Sequence, residues 1–518
     1  MRIRHIIICC MLSWCGGISS LLAQDSKGNY CYTDETQLWR LTANAAALSL
    51  DCNPCDSTAN RGIAYFDLSH RDGDYHRVQE GSMDNSLQFF TERYQKIGRY
   101  LYGYGSFHFD MGRIKNRAWS DVIRTYNSNP FISGSSVSGS YDHQNFELLG
   151  RLSTVSLGHF TYGADLLYRV GDLSRIRDPR SRVNLAEYRI APSATYTTGR
   201  TTLAIAAHYD RRKEKLPNLT TVQTDPSLKY YIMTGLENTE GAIALYQGYM
   251  REYVNHEFGA EMGFGYSGDR LHSVNTLSVA TGREYVYGTN KYQPGEFRTL
   301  GYGLTSRNRI LQGSLLHSAD IGVSYGCGYA DEFKEERVTT KDAETGETSV
   351  HWNRLLTYKK RYQQKAYDVN LHYRLSFTDD ERVAAYAGLR YQLQGVVNKH
   401  VVHTSELKYS SSQIELEGGI PVMGNRLWIE ATGRRHLSHK ASLELYDPTT
   451  DYALNVLIPD MNYYEASYWQ GRLELTWQQP LVIKGMETRW FAKLYGSYLR
   501  TDNSLDGRMA GFSVGLYY

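Results

Sequence analysis

What most restricts this chain is a period of two that recurs along most of its length, with no long apolar run to replace it. In Tyr367–Phe377, Tyr367, Val369, Leu371, Tyr373, Leu375 and Phe377 share one side, and Asp368, Asn370, His372, Arg374 and Ser376 the other. Val383, Ala385, Ala387, Leu389, Tyr391 and Leu393 repeat the pattern, as do Trp469, Gly471, Leu473, Leu475 and Trp477. Successive side chains of a β-strand point to opposite faces, so each stretch reads as a strand with one apolar and one polar face. No apolar run of about 18 residues follows the amino-terminal segment, which excludes membrane-spanning helices.

Alternation alone fits a soluble sandwich as well. Three features choose otherwise. The strands read as roughly 10 to 16 residues, longer than soluble strands and matched to a tilted membrane crossing. Aromatics close the apolar faces, as Tyr367 with Phe377 and Trp469 with Trp477. Connections alternate short and long. The short ones fall near Gln95–Gly98, Leu157–Gly158, Thr198–Gly199, Ser267–Asp269, Ile310–Gly313, Thr378–Asp380, Pro421–Asn425 and Leu481–Met486; the long ones include Ile114–Tyr141, Glu214–Tyr253 and Asp331–Trp352. The expectation is an all-β fold, a transmembrane antiparallel β-barrel of the outer membrane, with an even count of roughly 16–18 strands, short periplasmic turns and long extracellular loops.

Composition agrees. The 43 tyrosines and 46 glycines suit strands, turns and interfaces. With 57 basic and 55 acidic residues interspersed, the net charge of +2 gives no field for nucleic acid.

Residues 1–23 read as a signal peptide: Arg2 and Arg4, the apolar IIICCMLSW, and a small-residue cleavage site after Ala23. Export to the outer membrane of a Gram-negative bacterium follows. Residues 24–60 form a short lead-in, either tucked into the barrel mouth or periplasmic, and 61–518 the barrel. This lead-in is much shorter than the plug and energy-coupling motif of TonB-dependent transporters. Cys52-Asn-Pro-Cys55 lacks the histidine of a haem site and a second CxxC for zinc, so it reads as a local disulfide. Sequence leaves a Cys31–Cys327 pairing open.

GDYHRVQEG (Gly73–Gly81), FFTERYQKIGRYLYGYGSFHFD (Phe89–Asp110), KNRAWSD (Lys115–Asp121), NPFISG (Asn129–Gly134) and YRVGD (Tyr168–Asp172) resemble a family of uncharacterised outer-membrane β-barrel proteins of Bacteroidota, catalogued as a domain of unknown function. The resemblance implies a barrel and a setting beside TonB-dependent transporters and surface lipoproteins. It carries over no catalytic or binding residue.

The final strand, GRMAGFSVGLYY, places Phe512, Val514, Leu516 and Tyr518 on one face. The terminal aromatic resembles the signal read by the barrel-assembly machinery, with Ser513 where that signal commonly has glycine. Its expected partner is Gly62–Ser69, closing the sheet so that no edge is left in lipid. Arg374, Arg390, Arg472, Glu474 and Lys493 are expected to face the lumen, with Arg151, Asp165, Arg169, Glu261, Asp368, Glu415 and Glu417. These mixed charges either line a wet, weakly selective lumen or neutralise one another across a filled one.

No catalytic, cofactor or metal residue is assigned. His436-Leu-Ser438 lacks the Asn-Gly of barrel lipid hydrolases and an orienting acid. His436/His439 and His400/His403 are three apart, so on a strand they point to opposite faces. The expected function is a passive or gated channel that admits, or helps admit, a small solute, with a TonB-dependent transporter or surface lipoprotein as the implied partner. The alternatives are a non-conducting accessory subunit and a barrel hydrolase.

Overall fold

A computed structural model describes residues 26–51, 61–222, 228–243, 248–341, 347–379, 381–483 and 486–518. The expected signal peptide and the Cys52/Cys55 pair lie outside these residues. In chain order the strands are β1 Arg61–Gly73, β2 Met83–Ile97, β3 Leu101–Arg117, β4 Ser133–Ser135, β5 Gly139–Thr154, β6 Phe160–Arg175 and β7 Arg182–Thr198. Then come β8 Thr201–Leu216, β9 Tyr230–Gly235, β10 Asn238–Ile243, β11 Arg251–Ser267, β12 Leu271–Tyr287, β13 Gly295–Gln312 and β14 Leu315–Lys341. The last are β15 Thr348–Asp379, β16 Arg382–His400, β17 Ser405–Val422, β18 Leu427–Glu444, β19 Tyr468–Ile483, β20 Met486–Thr501 and β21 Asp506–Tyr517.

β4, β9 and β10 make a separate three-stranded sheet, and the rest form one 18-stranded sheet. Each strand of the large sheet pairs antiparallel with its neighbours, and β21 returns to β1, with Ile63 opposite Tyr517 and Gly73 opposite Gly507. The sheet is therefore a closed barrel. Its outer face carries Leu166, Ile205, Met262 and Leu416, each more than half exposed, with Tyr367, Phe377 and Trp469 also turned outward. A soluble monomer does not display a belt of that extent, and only a closed ladder satisfies strand backbone in hydrocarbon. The chain is a transmembrane antiparallel β-barrel of the outer membrane.

All eight short turns fall where the alternation breaks, on the end that also holds the start of β1 and the end of β21. The opposite end holds the long connections. One expectation needs correcting: Asp331–Trp352 is not a long loop but the far part of the β14–β15 hairpin, paired from Glu332 with Tyr358 to Lys341 with Thr348. Val338, Thr339, Thr348 and Val350 favour extended backbone, and β15 meets β16 only from Tyr362 onward, so this hairpin runs past the barrel rim. A further long connection, between β18 and β19, contains helical residues Ala453–Leu457 continuing into α2, Ile458–Glu465, after α1 at Lys27–Thr36.

At the seam, Phe512 and Val514 are exposed on the outer face, while Ser513 is fully buried on the inner one. The Ser513 hydroxyl donates to Asp67 Oδ2, and the Tyr495 hydroxyl donates to Asp67 Oδ1 at 2.8 Å. Serine at this position thus joins the first and last strands from inside. Leu516 continues the outer face opposite Ala64, and Tyr518 exchanges two main-chain hydrogen bonds with Gly62, at 2.5 and 2.9 Å.

Candidate functional site: a lumen filled from both ends

Residues 26–51 fold into the turn end of the lumen. Ser26 caps α1, and short 3-10 turns follow at Trp39–Leu41 and Ala45–Ser49. Their small and apolar residues are buried: Trp39, Ala45, Ala46, Ala47 and Leu48. Close approach to the wall needs a glycine at 163, where an added Cβ would lie 2.3 Å from the Ala46 nitrogen. Polar groups fasten the segment around the circumference. Ser153 and Thr161 both donate to the Ala46 carbonyl at 2.7 Å, and the Asn44 side chain donates to the Ile205 carbonyl at 2.9 Å. The Lys27 main chain donates to Gln478 at 3.0 Å, and its ammonium pairs with Glu430.

Glu35 is the best-connected plug residue. Its carboxylate accepts from Arg374 at 2.8 Å and Ser318 at 2.6 Å, and its carbonyl accepts from Arg309 at 2.6 Å. Arg374 also donates to Glu417 at 2.8 Å, so this lumen-facing arginine ties the plug to the wall. The other expected lumen residues lie on inner faces and pair locally. Arg472 bonds Glu474 at 2.6 Å, Lys493 stands 3.9 Å from Glu474, and Arg390 stands 3.7 Å from Glu415. Most of the mixed charge is thus matched along the wall.

Cys31 lies in the plug and Cys327 on β14; both are free. Cys327 shares the outward parity of Ile321, Val323 and Tyr325, so the barrel wall separates the two thiols. Burial pushes the Cys31 thiol up to about 12, which leaves it protonated and inert at neutral pH.

The loop end closes by different means. Trp119, Val122 and Phe131 from the β3–β5 connection pack with Tyr231 and Met233 of β9 and with Tyr452, Val456 and Leu457. They rest on inward residues Tyr253, Val286, Phe297 and Tyr362. Directional bonds fix this lid: the Tyr253 hydroxyl donates to the Phe131 carbonyl at 2.7 Å, and Ile123 N donates to Glu214 at 2.7 Å. Nothing in the alternation pattern announces the lid, because its residues come from three connections that meet only in three dimensions.

Asp460 of α2 is buried in the lid and accepts from Val78 N at 2.8 Å. Desolvation raises its carboxyl from the usual range to about 7, against the opposing main-chain bond and Arg77. A folded-state value above the unfolded one means that its stabilising contribution is complete below about pH 4 and is lost as pH rises through about 7. Hydrogen-exchange protection of the lid is therefore expected to fall across that window, by up to about tenfold per pH unit. Asp460→Asn should flatten the profile; an unchanged slope in that variant would assign the pH dependence elsewhere.

Ser438 and His436 are engaged with different partners. The Ser438 hydroxyl donates to the Tyr464 carbonyl at 2.7 Å, while the His436 ring stacks on Tyr468 at 4.6 Å. His439 bonds Ser412 at 2.6 Å. The His400 and His403 rings stack at 5.2 Å, brought together by the turn after β16.

Beneath the lid lies a cavity of about 300 Å³, lined by lid residues Ile123 and Arg124 and by the barrel wall. Arg124 of the lid faces Glu147, Arg169, Glu187 and Arg212 of the wall across it. Arg169 bonds Glu147 at 2.8 Å and Glu187 at 3.1 Å, and Arg124 stands 3.5 Å from Glu187. Such a space suits a small solute that offers both donors and acceptors.

These features define an outer-membrane β-barrel with a docked amino-terminal plug, a loop lid and a charged chamber beneath the lid. Residues 54–518 match a family of unknown function, DUF6850, and the chain belongs to that family. No curated protein matches it. Among solved structures the chain is similar to the outer membrane transporter YddB from Escherichia coli, at 8% identity over 88% of this chain and 80% of that one, with a TM-score of 0.41. It is also similar to the FrpB iron transporter from Neisseria meningitidis, at 10% identity over 91% and 83%, with a TM-score of 0.38. For the siderophore receptor PirA from Pseudomonas aeruginosa the values are 11%, 90% and 81%, with a TM-score of 0.36.

Proposed function

We propose that this protein is a gated, not constitutively open, route by which a small polar solute crosses the outer membrane. The observation that carries the reading is the chamber of about 300 Å³ under the lid, lined by both signs of charge, in a barrel whose other end is filled by the plug. A purely structural barrel gains nothing from guanidinium and carboxylate groups facing a cavity, whereas a solute in transit needs them to replace its water. The plug is the gate that moves in this reading, since it is one short segment held by polar contacts that water can replace and by small apolar clusters around Trp39 and Leu48, while the lid packs several connections into one larger apolar cluster.

The accessory-subunit reading has one observation of its own. The β14–β15 hairpin runs beyond the rim and exposes Leu355, Leu356 and Tyr358, a surface for a transporter or surface lipoprotein. Conductance across a planar bilayer separates the two. The whole barrel is expected to stay closed, and a variant lacking residues 26–51 to give discrete conducting steps. A deletion variant that inserts, keeps its heat-modifiable mobility and still never conducts would defeat the channel reading in favour of the accessory one.

A further inference from the structure

His208 and Asp210 are two apart on β8 and share its inner face, and Glu257 stands directly opposite Asp210 on β11. One donor atom from each of the three lies within 4.8 Å of the others. His208 Nε2 is 3.7 Å from Asp210 Oδ2 and 3.9 Å from Glu257 Oε1. It is buried, and among the described residues no acceptor stands within 3.5 Å of it. Those separations are too long for hydrogen bonds and too short to seat a bridging water on the line between the atoms. They are close to what a single cation requires. With metal–nitrogen and metal–oxygen distances near 2.1 Å, tetrahedral donors stand about 3.4 Å apart, so both histidine–carboxylate separations need only a few tenths of an ångström of contraction, and the two carboxylates, within 4.8 Å, need a further side-chain adjustment.

Two surrounding features fit a built site. Gly259 lies opposite His208, and a Cβ there would come within 2.1 Å of the imidazole Cε1, so the ring occupies the space that this glycine leaves. Arg189 Nε donates to both oxygens of Asp210, at 2.9 and 3.1 Å, and fixes the orientation of that carboxylate. Ligating carboxylates are characteristically held in this way by an outer partner.

We propose that His208, Asp210 and Glu257 bind a divalent first-row transition cation in the lumen wall, through one imidazole nitrogen and two carboxylate oxygens. The remaining coordination positions face the lumen, open to water or to a passing ligand. One nitrogen with two oxygens favours zinc-like ions over calcium, which takes six or more oxygens. The assignment stands apart from the gated-channel reading, which conductance alone tests.

The test uses the whole barrel in detergent, stripped with chelator, in a Cys52→Ser/Cys55→Ser background so that those thiols do not compete. Equilibrium dialysis against zinc, and separately against calcium, is followed by elemental analysis. One zinc per chain is expected, with calcium much weaker. His208→Ala and Glu257→Gln should each lose more than the roughly tenfold to hundredfold in affinity that removal of a supporting group costs. Gly259→Ala, which keeps all three donors and displaces only the ring, should weaken zinc as well. Heat-modifiable mobility checks that each variant is folded. Absence of stoichiometric zinc in the parent, calcium bound as tightly as zinc, or folded His208→Ala and Glu257→Gln variants that bind like the parent would each overturn the proposal.

Discussion

Replacing Glu35 by alanine is expected to turn the quiet barrel into one that opens intermittently. The reason is asymmetry in what the substitution strands. Arg374 keeps Glu417, and Arg309 keeps Asp320, its partner at 2.5 Å, so neither wall guanidinium is left as an uncompensated buried charge. The plug, by contrast, loses the carboxylate that accepts from Arg374 and Ser318. Hydrogen bonds that involve a charged partner are each worth about 1.5–3 kcal/mol, so removing this pair costs the docked state about 3 kcal/mol or somewhat more. That is roughly a hundredfold shift in the equilibrium between docked and released plug. The barrel itself loses no ladder bond and should melt as before. Single-channel recording of Glu35→Ala should therefore show rare openings of the same unit size as the variant lacking residues 26–51. Glu35→Gln, which keeps an acceptor without the charge, should fall between the two. Openings that are absent in Glu35→Ala but present in the deletion would mean that the many smaller contacts, such as those of Asn44 and Ala46, hold the plug without Glu35.

The barrel was legible in the sequence because its determinants are local. Each strand declares its inner and outer face through alternation, and each turn interrupts that alternation, so the eight turns and the β1–β21 seam can be read without knowing any contact. The lumen residues were legible only as a face. Alternation places Arg374 and Glu417 inside, but not opposite Glu35, because the plug has no period that encodes where it docks. His208, Asp210 and Glu257 show the same limit: two of them share a strand face, and the third joins only through the register of a strand that begins after a long connection. The lid was not legible at all. Trp119, Tyr231 and Tyr452 converge from connections far apart in the chain, and their packing follows from the width of the barrel rather than from any local pattern.

Removal of Tyr518 is expected to reduce the amount of folded barrel in the outer membrane severalfold or more, out of proportion to its energetic share of the seam. The residue contributes two main-chain hydrogen bonds with Gly62 and a side-chain contact with Thr91 at 3.1 Å. At about 0.5–1.5 kcal/mol each, these are a small part of a closed 18-stranded ladder. A purely thermodynamic loss would leave the inserted barrel abundant and slightly less heat-resistant. A seam that fails to close leaves strand edges in hydrocarbon, where each unsatisfied backbone group costs several kcal/mol, so any fault in docking β21 is amplified. Ser513→Gly provides the contrast. It removes the hydroxyl that bonds Asp67 from inside the lumen, leaves the outward residues Phe512, Val514, Leu516 and Tyr518 in place, and brings the strand closer to the common assembly signal. That variant should insert at the parental level and lose about 1.5–3 kcal/mol of stability, read as a lower temperature for loss of heat-modifiable mobility. If the Tyr518 deletion inserts as well as Ser513→Gly, the terminal aromatic is an ordinary seam residue and carries no assembly role.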